Sequence, residues 1–534
     1  MRVDSSGPAA VTVDYAPFAT AYGGSYGSRL RLVKLPQCAL TTPDLPACRT
    51  ATPVAGRNDA ESRTLTAGLP AGTAVLAAVA APASAAGDYR ATPLAPAATW
   101  NSSGNSGDFT WSYPLRVPPV PGGLTPQLAI GYSAASVDGR TSATNNQPSW
   151  VGEGFDLWPG FIERSYKPCA DDGAPKSNGV DPGDQCWAYD NATVIWNGRG
   201  GELIKAADGT WRMRGDDGTR FEKMTGGTNG DKDGEYWKAT ATDGTQYFFG
   251  LNRLPGWTSD RGETSSAWTM PVFGNDAGEP CHDTAGFARS SCRQAWRWNL
   301  DYVVDTQGNA IAYYYDKERN SYGRNVSLTD DAEYDRGGRL THIEYGLRSD
   351  DPFAPPPAKV VFETSERCIP TDAFDCASSK IGSNPDHWPD VPWDQNCTSQ
   401  CTKAGLIAPT FWSRHRFTGV TTKVRQDDGT YRDVDTWTLR HAWGDADVDR
   451  ALLLKGITHT GKASGTAVTL PEVTFNHHRV RPHRPRARHG HGVPLPRRRG
   501  LALRRRRRPD QDEGEDLVTV ARLRPCPGSD RRRR

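Results

Sequence analysis

Apolar and polar positions alternate with a period of two along most of this chain, and no segment sustains the 3.6-residue period of a capped helix. The alternation is visible early, at Val11, Val13 and Tyr15 and again at Leu30 and Leu32. It becomes nearly continuous from Thr99 to about Phe475, broken by turn signals. Asp-Gly-Thr occurs at 208–210, 217–219, 243–245 and 428–430, each followed within two residues by an aromatic (Trp211, Phe221, Tyr247, Tyr431). An Asp-Gly step accepts the positive φ of a tight hairpin, and the aromatic opens the return strand, as in Trp211–Arg214 and Tyr247–Phe249. The pattern predicts an all-β fold of antiparallel hairpins and sandwich- or barrel-like sheets with little helix. It divides the chain into a partial β domain over 1–50, a linker over 51–98, a sandwich-like β segment over 99–170 and a β-rich scaffold over 171–475.

The linker is read from composition: residues 51–98 are rich in Ala, Pro and Thr. Within it, Ala74–Ala86 resembles the apolar core of a signal peptide but lies far from the start and lacks a basic leader, so it is assigned to the linker. No run of about 18 apolar residues predicts a membrane-spanning helix.

Cysteine usage adds a compartment. Of eleven cysteines, ten fall in near-neighbour pairs: Cys38/Cys48, Cys169/Cys186, Cys281/Cys292, Cys368/Cys376 and Cys397/Cys401. Five disulfide-closed loops are the simplest arrangement and place the protein in an oxidising, extracellular setting, secreted or at the cell surface. Spacing alone leaves the connectivity open, and ten unrelated buried thiols are the alternative.

Charge changes the picture at one point. Of 64 basic and 62 acidic residues, 19 arginines and six acids lie beyond Asn476, which leaves 45 basic against 56 acidic in residues 1–476, a net of about −11. An acidic body argues against a nucleic-acid partner, since duplex binding rests on neutralising phosphates. Residues 476–534 are Arg- and Pro-rich, with Arg504–Arg508 and Arg531–Arg534 as runs. They read as out-of-frame translation of a GC-rich gene; a basic arm for nucleic acid or an anionic surface is the alternative. Either origin predicts a disordered tail.

Two motifs carry a family resemblance. Tyr113-Pro114, Pro118-Pro119, Gly122-Gly123-Leu124-Thr125-Pro126-Gln127-Leu128, Tyr132-Ser133 and Gly152-Glu153-Gly154-Phe155 resemble the opening of the SpvB-type N-terminal domain of toxin-complex B components and RHS proteins. Asp305-Thr-Gln-Gly308-Asn309 through Tyr313-Tyr-Tyr315-Asp316, with Gly338-Arg-Leu through Tyr345, resembles a YD repeat and its companion strand. Trp158–Arg164 and Trp296–Tyr302 extend the similarity over about 70% of the chain, to the N-terminal region of very large actinobacterial RHS proteins. The resemblance implies a scaffold that seals or anchors a YD-repeat shell around a C-terminal effector. Both the long shell and the effector lie beyond the region matched, so the family's toxic activity is not expected of this chain. A sheet interrupted after Phe475 would leave an unpaired edge and predicts poor solubility.

Candidate chemistry is sparse. Asn229, Asp231 and Asp233 have the alternate-oxygen spacing of a calcium loop, but Thr240 stands where a closing acid is needed, and a plain acidic hairpin loop is the alternative. Cys397, Cys401 and His387 offer three zinc ligands without a second cysteine pair. Cys281-His282-Asp283 are chain neighbours and point to opposite faces of an extended strand, poor geometry for a nucleophile and base. Asp216/Asp217 and Asp330/Asp331 are paired acids with nothing to place them across a cleft. The seventeen tryptophans read as core, or as sugar-stacking platforms if a cleft exposes them. No catalytic residue, cofactor or metal is assigned. The sequence is therefore read as a non-enzymatic scaffold whose partners are the remaining shell and its effector, with a cell-surface carbohydrate-binding or adhesion module as the alternative.

Overall fold

The computed structural model describes residues 1–19, 27, 30–60, 62–80, 98–102, 108–137, 147–444, 450–463 and 465–477. The expected Arg-rich tail, from 478 onward, lies outside the described residues. The chain divides into two compact units, one from Met1 to Thr99 and one beginning at Trp100.

The first unit is a sandwich of two antiparallel sheets. Its strands are β1 (Arg2–Ser5), β2 (Ala9–Asp14), β3 (Leu30–Leu35), β4 (Thr52–Pro53), β5 (Gly56–Asp59), β6 (Thr64–Leu69) and β7 (Gly72–Ala80). They pair in the orders β1-β7-β3-β4 and β2-β6-β5. Alternate residues Leu65, Ala67 and Leu69 of β6 turn inward to meet Leu30, Leu32, Tyr15 and Leu76, the period-2 signature of a sheet with one buried face. This corrects the reading of 51–98 as a linker and of 1–50 as a partial domain. Residues 52–80 supply four strands, and the Ala-rich run is β7, flanked by β1 and β3. Small apolar residues look like linker composition, but a continuous apolar run also suits a central strand. Residues 81–97 of the expected linker are outside the described residues.

The second unit carries a small sheet of order β11-β10-β9-β8, made of β8 (Thr99–Ser102), β9 (Phe109–Leu115), β10 (Leu128–Ser133) and β11 (Phe155–Asp156). It continues with β12 (Gly160–Glu163), β13 (Lys167–Pro168), β14 (Gln185–Cys186), β15 (Thr193–Trp196), β16 (Arg199–Lys205), β17 (Trp211–Met213), β18 (Arg220–Met224), β19 (Tyr236–Thr240) and β20 (Gln246–Phe249). Then follow β21 (Ala267–Phe273), β22 (Ser291–Val304), β23 (Asn309–Gly323), β24 (Asp331–Arg348), β25 (Ala358–Glu366), β26 (His415–Arg425), β27 (Tyr431–Trp443), β28 (Leu452–Gly461), β29 (Val468–Thr469) and β30 (Val473–Thr474). No structural break falls at residue 170, because β13 pairs with β14 across that position.

Eight of these strands close on themselves. β12 pairs with β15, pairing then runs in order through β20, β20 pairs with β22, and β22 returns to β12. An eight-stranded barrel is just wide enough to be filled by side chains. Here Ile162, Val194, Phe221, Trp237, Ala239, Phe249 and Trp298 are completely buried, and edge-on contacts such as Trp211–Trp237 and Trp237–Trp298 pack the aromatics. From β22 onward the sheet leaves the barrel as an antiparallel meander whose strands reach 18 residues in β24. Among the described residues the only helices are short 3-10 turns, and no helix is long and apolar enough to cross a membrane.

The outer edge of β28 is covered. Glu153 N donates to Leu452 O, Phe475 N to Lys455 O and Leu470 N to His459 O, while β30 and β29 pair with Gly456–Ile457 and Thr460–Gly461. The unpaired edge expected near Phe475 is therefore capped along β28, by residues 468–475 and by a segment from far earlier in the chain.

Candidate functional site

Loops held on a rigid sheet are where binding surfaces usually lie. Two features stand out in the second unit: a strap laid across the meander, and a stapled platform of loops at one end of it.

The strap is the segment from β9 to β11, the part that resembles the SpvB-type opening. Its Pro-Gly turn rests on the YD-like hairpin. Gly122 adopts φ +83, open to glycine, and a Cβ there would meet Asn309 Oδ1 at 2.2 Å. Asn309 in turn donates to Asp305 Oδ2 (2.8 Å), and Asp305 Oδ1 accepts the N–H groups of Gln307 and Asn309 and fixes the turn. Tyr345 Oη donates to Pro118 O at 3.1 Å. Further along, Trp111 and Phe155 of the small sheet close edge-on over Phe475 (5.2 and 4.9 Å). Residues 147–153 then run over β26–β28. Phe417 N donates to Trp150 O, and His441 Nε2 donates to Val151 O at 2.8 Å. Burial, then the neighbouring Arg416 cation, pushes His441 down to about 3, which keeps its ring neutral with Nδ1 free to accept from Arg416.

Arg367 fastens the strap. Its side chain is fully buried and donates to Asp390 Oδ2 (2.7 and 2.9 Å), Pro148 O (3.0 Å), Ser149 O (3.1 Å) and His415 O (3.3 Å). Gln147 completes the join, donating to Asp390 O and Ser413 O and accepting from Ser413 N. One guanidinium thus ties the strap, the start of β26 and the 367–414 insertion, which has its own small core of Cys368, Cys376, Ile381, Trp388, Val391 and Trp412.

The platform collects four disulfides. Register places the start of β22, the end of β23 and the end of β25 at the same end of the sheet. The loops there contain Cys169–Cys186, Cys281–Cys292, Cys368–Cys376 and Cys397–Cys401, and Cys38–Cys48 lies in the first unit; Cα separations are 4.9–5.8 Å, within the range a disulfide spans. The loops hold one another: Asn275 Nδ2 donates to Asp172 O, Gly323 N to Leu406 O, and the N–H groups of Gln400 and Cys401 to Asp331. Asp184 lies beneath, accepting Tyr322 Oη (2.8 Å) and Asn325 N (2.9 Å). Burial outweighs those hydrogen bonds and lifts its carboxyl to about 6.

The other candidates serve structural ends. Asp231 accepts the N–H groups of Asp233, Glu235 and Ala295, and Asn229 donates to Glu235 O and Gly250 O, so the calcium-like spacing pins a loop against β22. Cys397 and Cys401 are bonded to each other, and His387 stacks on Phe374 at 3.7 Å, which removes the zinc arrangement. Cys281 is in its disulfide and His282 Nδ1 meets Gly274 O, so the neighbours form no dyad. Asp216 and Asp217 cap a turn and pair with Arg212 and Arg199; Asp330 pairs with Arg324. Asp172, Asp276 and Glu279 gather three carboxylates on the platform, with the Lys167 ammonium seated on Asp172. Arg367, Asp390 and the Gly122–Asn309 contact were not foreseen; their partners lie 23 to 219 residues away and leave no local signal.

No family model and no curated protein matches this sequence. Among solved structures it is similar to the TcdB2-TccC3 crystal structure (15% identity, TM-score 0.40, covering 71% of this chain and 17% of that one). It is also similar to the Photorhabdus luminescens Tc holotoxin pore with a TccC3 mutation (15%, 0.38, 71% and 16%). A third is the N-terminal domain of effector protein SpvB from Salmonella typhimurium strain LT2 (16%, 0.32, 67% and 98%). The chain spans about a sixth of the length of the toxin-complex chains it matches.

Proposed function

We propose that this chain is the N-terminal scaffold, or cap, of a secreted RHS repeat protein of the actinobacterial YD-repeat type, and that it helps to enclose or present a C-terminal effector. The observation that carries this reading is the way the large sheet is sealed: it closes into a filled barrel on one side and is capped along β28 on the other. Ending the sheet on the two-residue strands β29 and β30 leaves little edge for unplanned strand addition and suits the end of a shell. The contact of the SpvB-like strap with the YD-like hairpin, at Gly122–Asn309 and Pro118–Tyr345, makes the two family-like motifs one structural unit. Five disulfides fit an extracellular protein. Its partners are then the remaining shell and the effector.

The rival adhesion reading needs a cleft lined by exposed tryptophan and tyrosine. Among the residues whose burial is described no tryptophan is exposed and Tyr189 is the one exposed tyrosine, while the aromatics of the barrel and under the strap are core. The test compares the full-length secreted protein with a form lacking 100–475, in both of which the downstream polypeptide is followed by limited proteolysis. Protection of the downstream region only when 100–475 is present is expected. Equal cleavage in the two forms would overturn the cap reading.

A further inference from the structure

We infer that the platform is a two-step redox latch, in which reduction of Cys281–Cys292 must precede reduction of Cys169–Cys186. The first disulfide is the one a thiol can reach: Cys292 is half-buried, whereas Cys169 and Cys186 are both completely buried. Thiol–disulfide exchange requires in-line access of a thiolate to sulfur, so exposure sets the order.

The loop between β21 and β22 is what hides the second disulfide. Phe287 of that loop stacks on Phe273 (4.4 Å, 15° between rings), and both pack with Cys169, Cys186 and Ala174 in one apolar cluster. Asn275, at the other end of the loop, donates to Asp172 O inside the 169–186 loop. Cys281 itself holds φ +69, a left-handed conformation that costs an L-residue about 1 kcal/mol. Cleaving this bond opens the 281–292 loop that carries Phe287.

The chemistry is two-electron exchange with an external dithiol. Its thiolate attacks Cys292 Sγ, the S–S bond breaks, and Cys281 leaves as a thiolate. Gln294 Nε2, which lies 3.4 Å from Cys281 Sγ and 3.6 Å from Cys292 Sγ, steadies that charge. The second thiol of the reductant then displaces Cys292 from the mixed disulfide. The reductant leaves as a cyclic disulfide, and the protein keeps two thiols after two protons are taken up. The same exchange follows at Cys169–Cys186 once Phe287 has swung away. Passage from an oxidising exterior to a reducing compartment would open the platform in this order while the sheet, which contains no disulfide between its long strands, stays folded.

The experiment is a time course of the full chain in dithiothreitol, quenched with N-ethylmaleimide and read by mass spectrometry at each cysteine pair. Cys281/Cys292 alkylation is expected first, with Cys169/Cys186 following after a lag. Phe287→Ala should raise the rate at Cys169/Cys186 by roughly tenfold, because it opens the route without breaking a bond. C281S/C292S should abolish the lag. The Cys368/Cys376 pair, seated in its own core, should react at the same rate in all three proteins. The inference is overturned if Cys169/Cys186 opens no later than Cys281/Cys292, or if its rate is unchanged in Phe287→Ala. Hydrogen exchange over β23–β24 verifies that each variant is folded, and Phe287→Ala carries the test if the double serine variant is not.

Discussion

Replacing Arg367 by alanine should be among the most damaging single changes outside the barrel. The guanidinium is fully buried and serves four acceptors: the Asp390 carboxylate and the carbonyls of Pro148, Ser149 and His415. Removing one partner of a buried ion pair costs about 3–5 kcal/mol, because the other charge is left without compensation. Of the three carbonyls only Pro148 O lies in a fully buried hydrogen bond, and stranding it adds about 1 kcal/mol. A loss of about 4–6 kcal/mol is then expected, against a total stability of about 5–15 kcal/mol for a typical domain. The loss should be local, because the strap and the 367–414 insertion hang from this residue while the barrel does not. Hydrogen exchange should therefore rise over 147–157 and 367–414 with β15–β20 unchanged. The pH dependence gives a second check. Burial already holds the Asp390 carboxyl above its usual range, and Arg367 is what pulls it back down. Without that cation the folded carboxyl rises further above its unfolded value. Its contribution is then most favourable at low pH and is lost as pH rises through the folded pKa. The deficit of R367A should accordingly be smallest near pH 4.5 and largest near pH 8. R367M/D390L, which removes both charges, should recover most of the loss. A deficit below about 1 kcal/mol, or one that does not change with pH, would refute the reasoning.

Two further outcomes follow from single sites. Asp301 is completely buried and accepts Ser266 Oγ (2.7 Å), Thr264 Oγ1 (2.8 Å) and the N–H groups of Asn252 and Leu251, yet burial still raises it to about 6. Its folded pKa exceeds the unfolded one, so this aspartate favours the fold fully below pH 4 and loses about 3 kcal/mol as pH rises through 6. Asp301→Asn should flatten the urea midpoint between pH 4 and 7 by that amount, and an unaltered profile would count against it. Gly456→Val should weaken the cap of β28, because a side chain there would displace the Glu472 carboxylate from its pairing with Arg440. Light scattering should report association of the exposed edge, absent in Gly461→Ala, where an added methyl meets only ordinary contacts; equal behaviour of the two would remove the cap from the account.

How much was legible depends on the range of the interaction. The Asp-Gly-Thr turns were legible because their physics is local: Asp208 and Asp428 each accept the N–H and hydroxyl of the threonine two residues on, and glycine takes φ +85 at Gly209, Gly244 and Gly429. Short disulfide loops were legible for the same reason. The linker misreading was also local in origin, since composition cannot separate a small-residue central strand from a spacer until its neighbours, β1 and β3, are known. Barrel closure depends on Phe161–Glu163 meeting Arg297–Asn299, and nothing near either segment announces the other. The Glu153–Leu452 contact at the edge of β28 and the Arg367 anchor are hidden in the same way: each joins segments that are distant along the chain.

The resulting division of labour bears on function. Between its long strands the meander has no covalent staple and relies on paired strands and a continuous aromatic interior, which bury more as strands lengthen. The platform loops contain only short 3-10 turns, and there the disulfides take over, closing loops of 4 to 17 residues. On the chain-entropy argument each closure contributes about 2–3 kcal/mol, so the four together constrain the platform by about 10 kcal/mol while leaving the sheet untouched. A molecule built this way gathers the four disulfides of the second unit at one end, the end where the loops are. If the frame is what seals a shell, then the part that answers to its surroundings is the stapled end, and the effect of reduction on that end, with the sheet unchanged, is the property by which the frame and the platform can be told apart in solution.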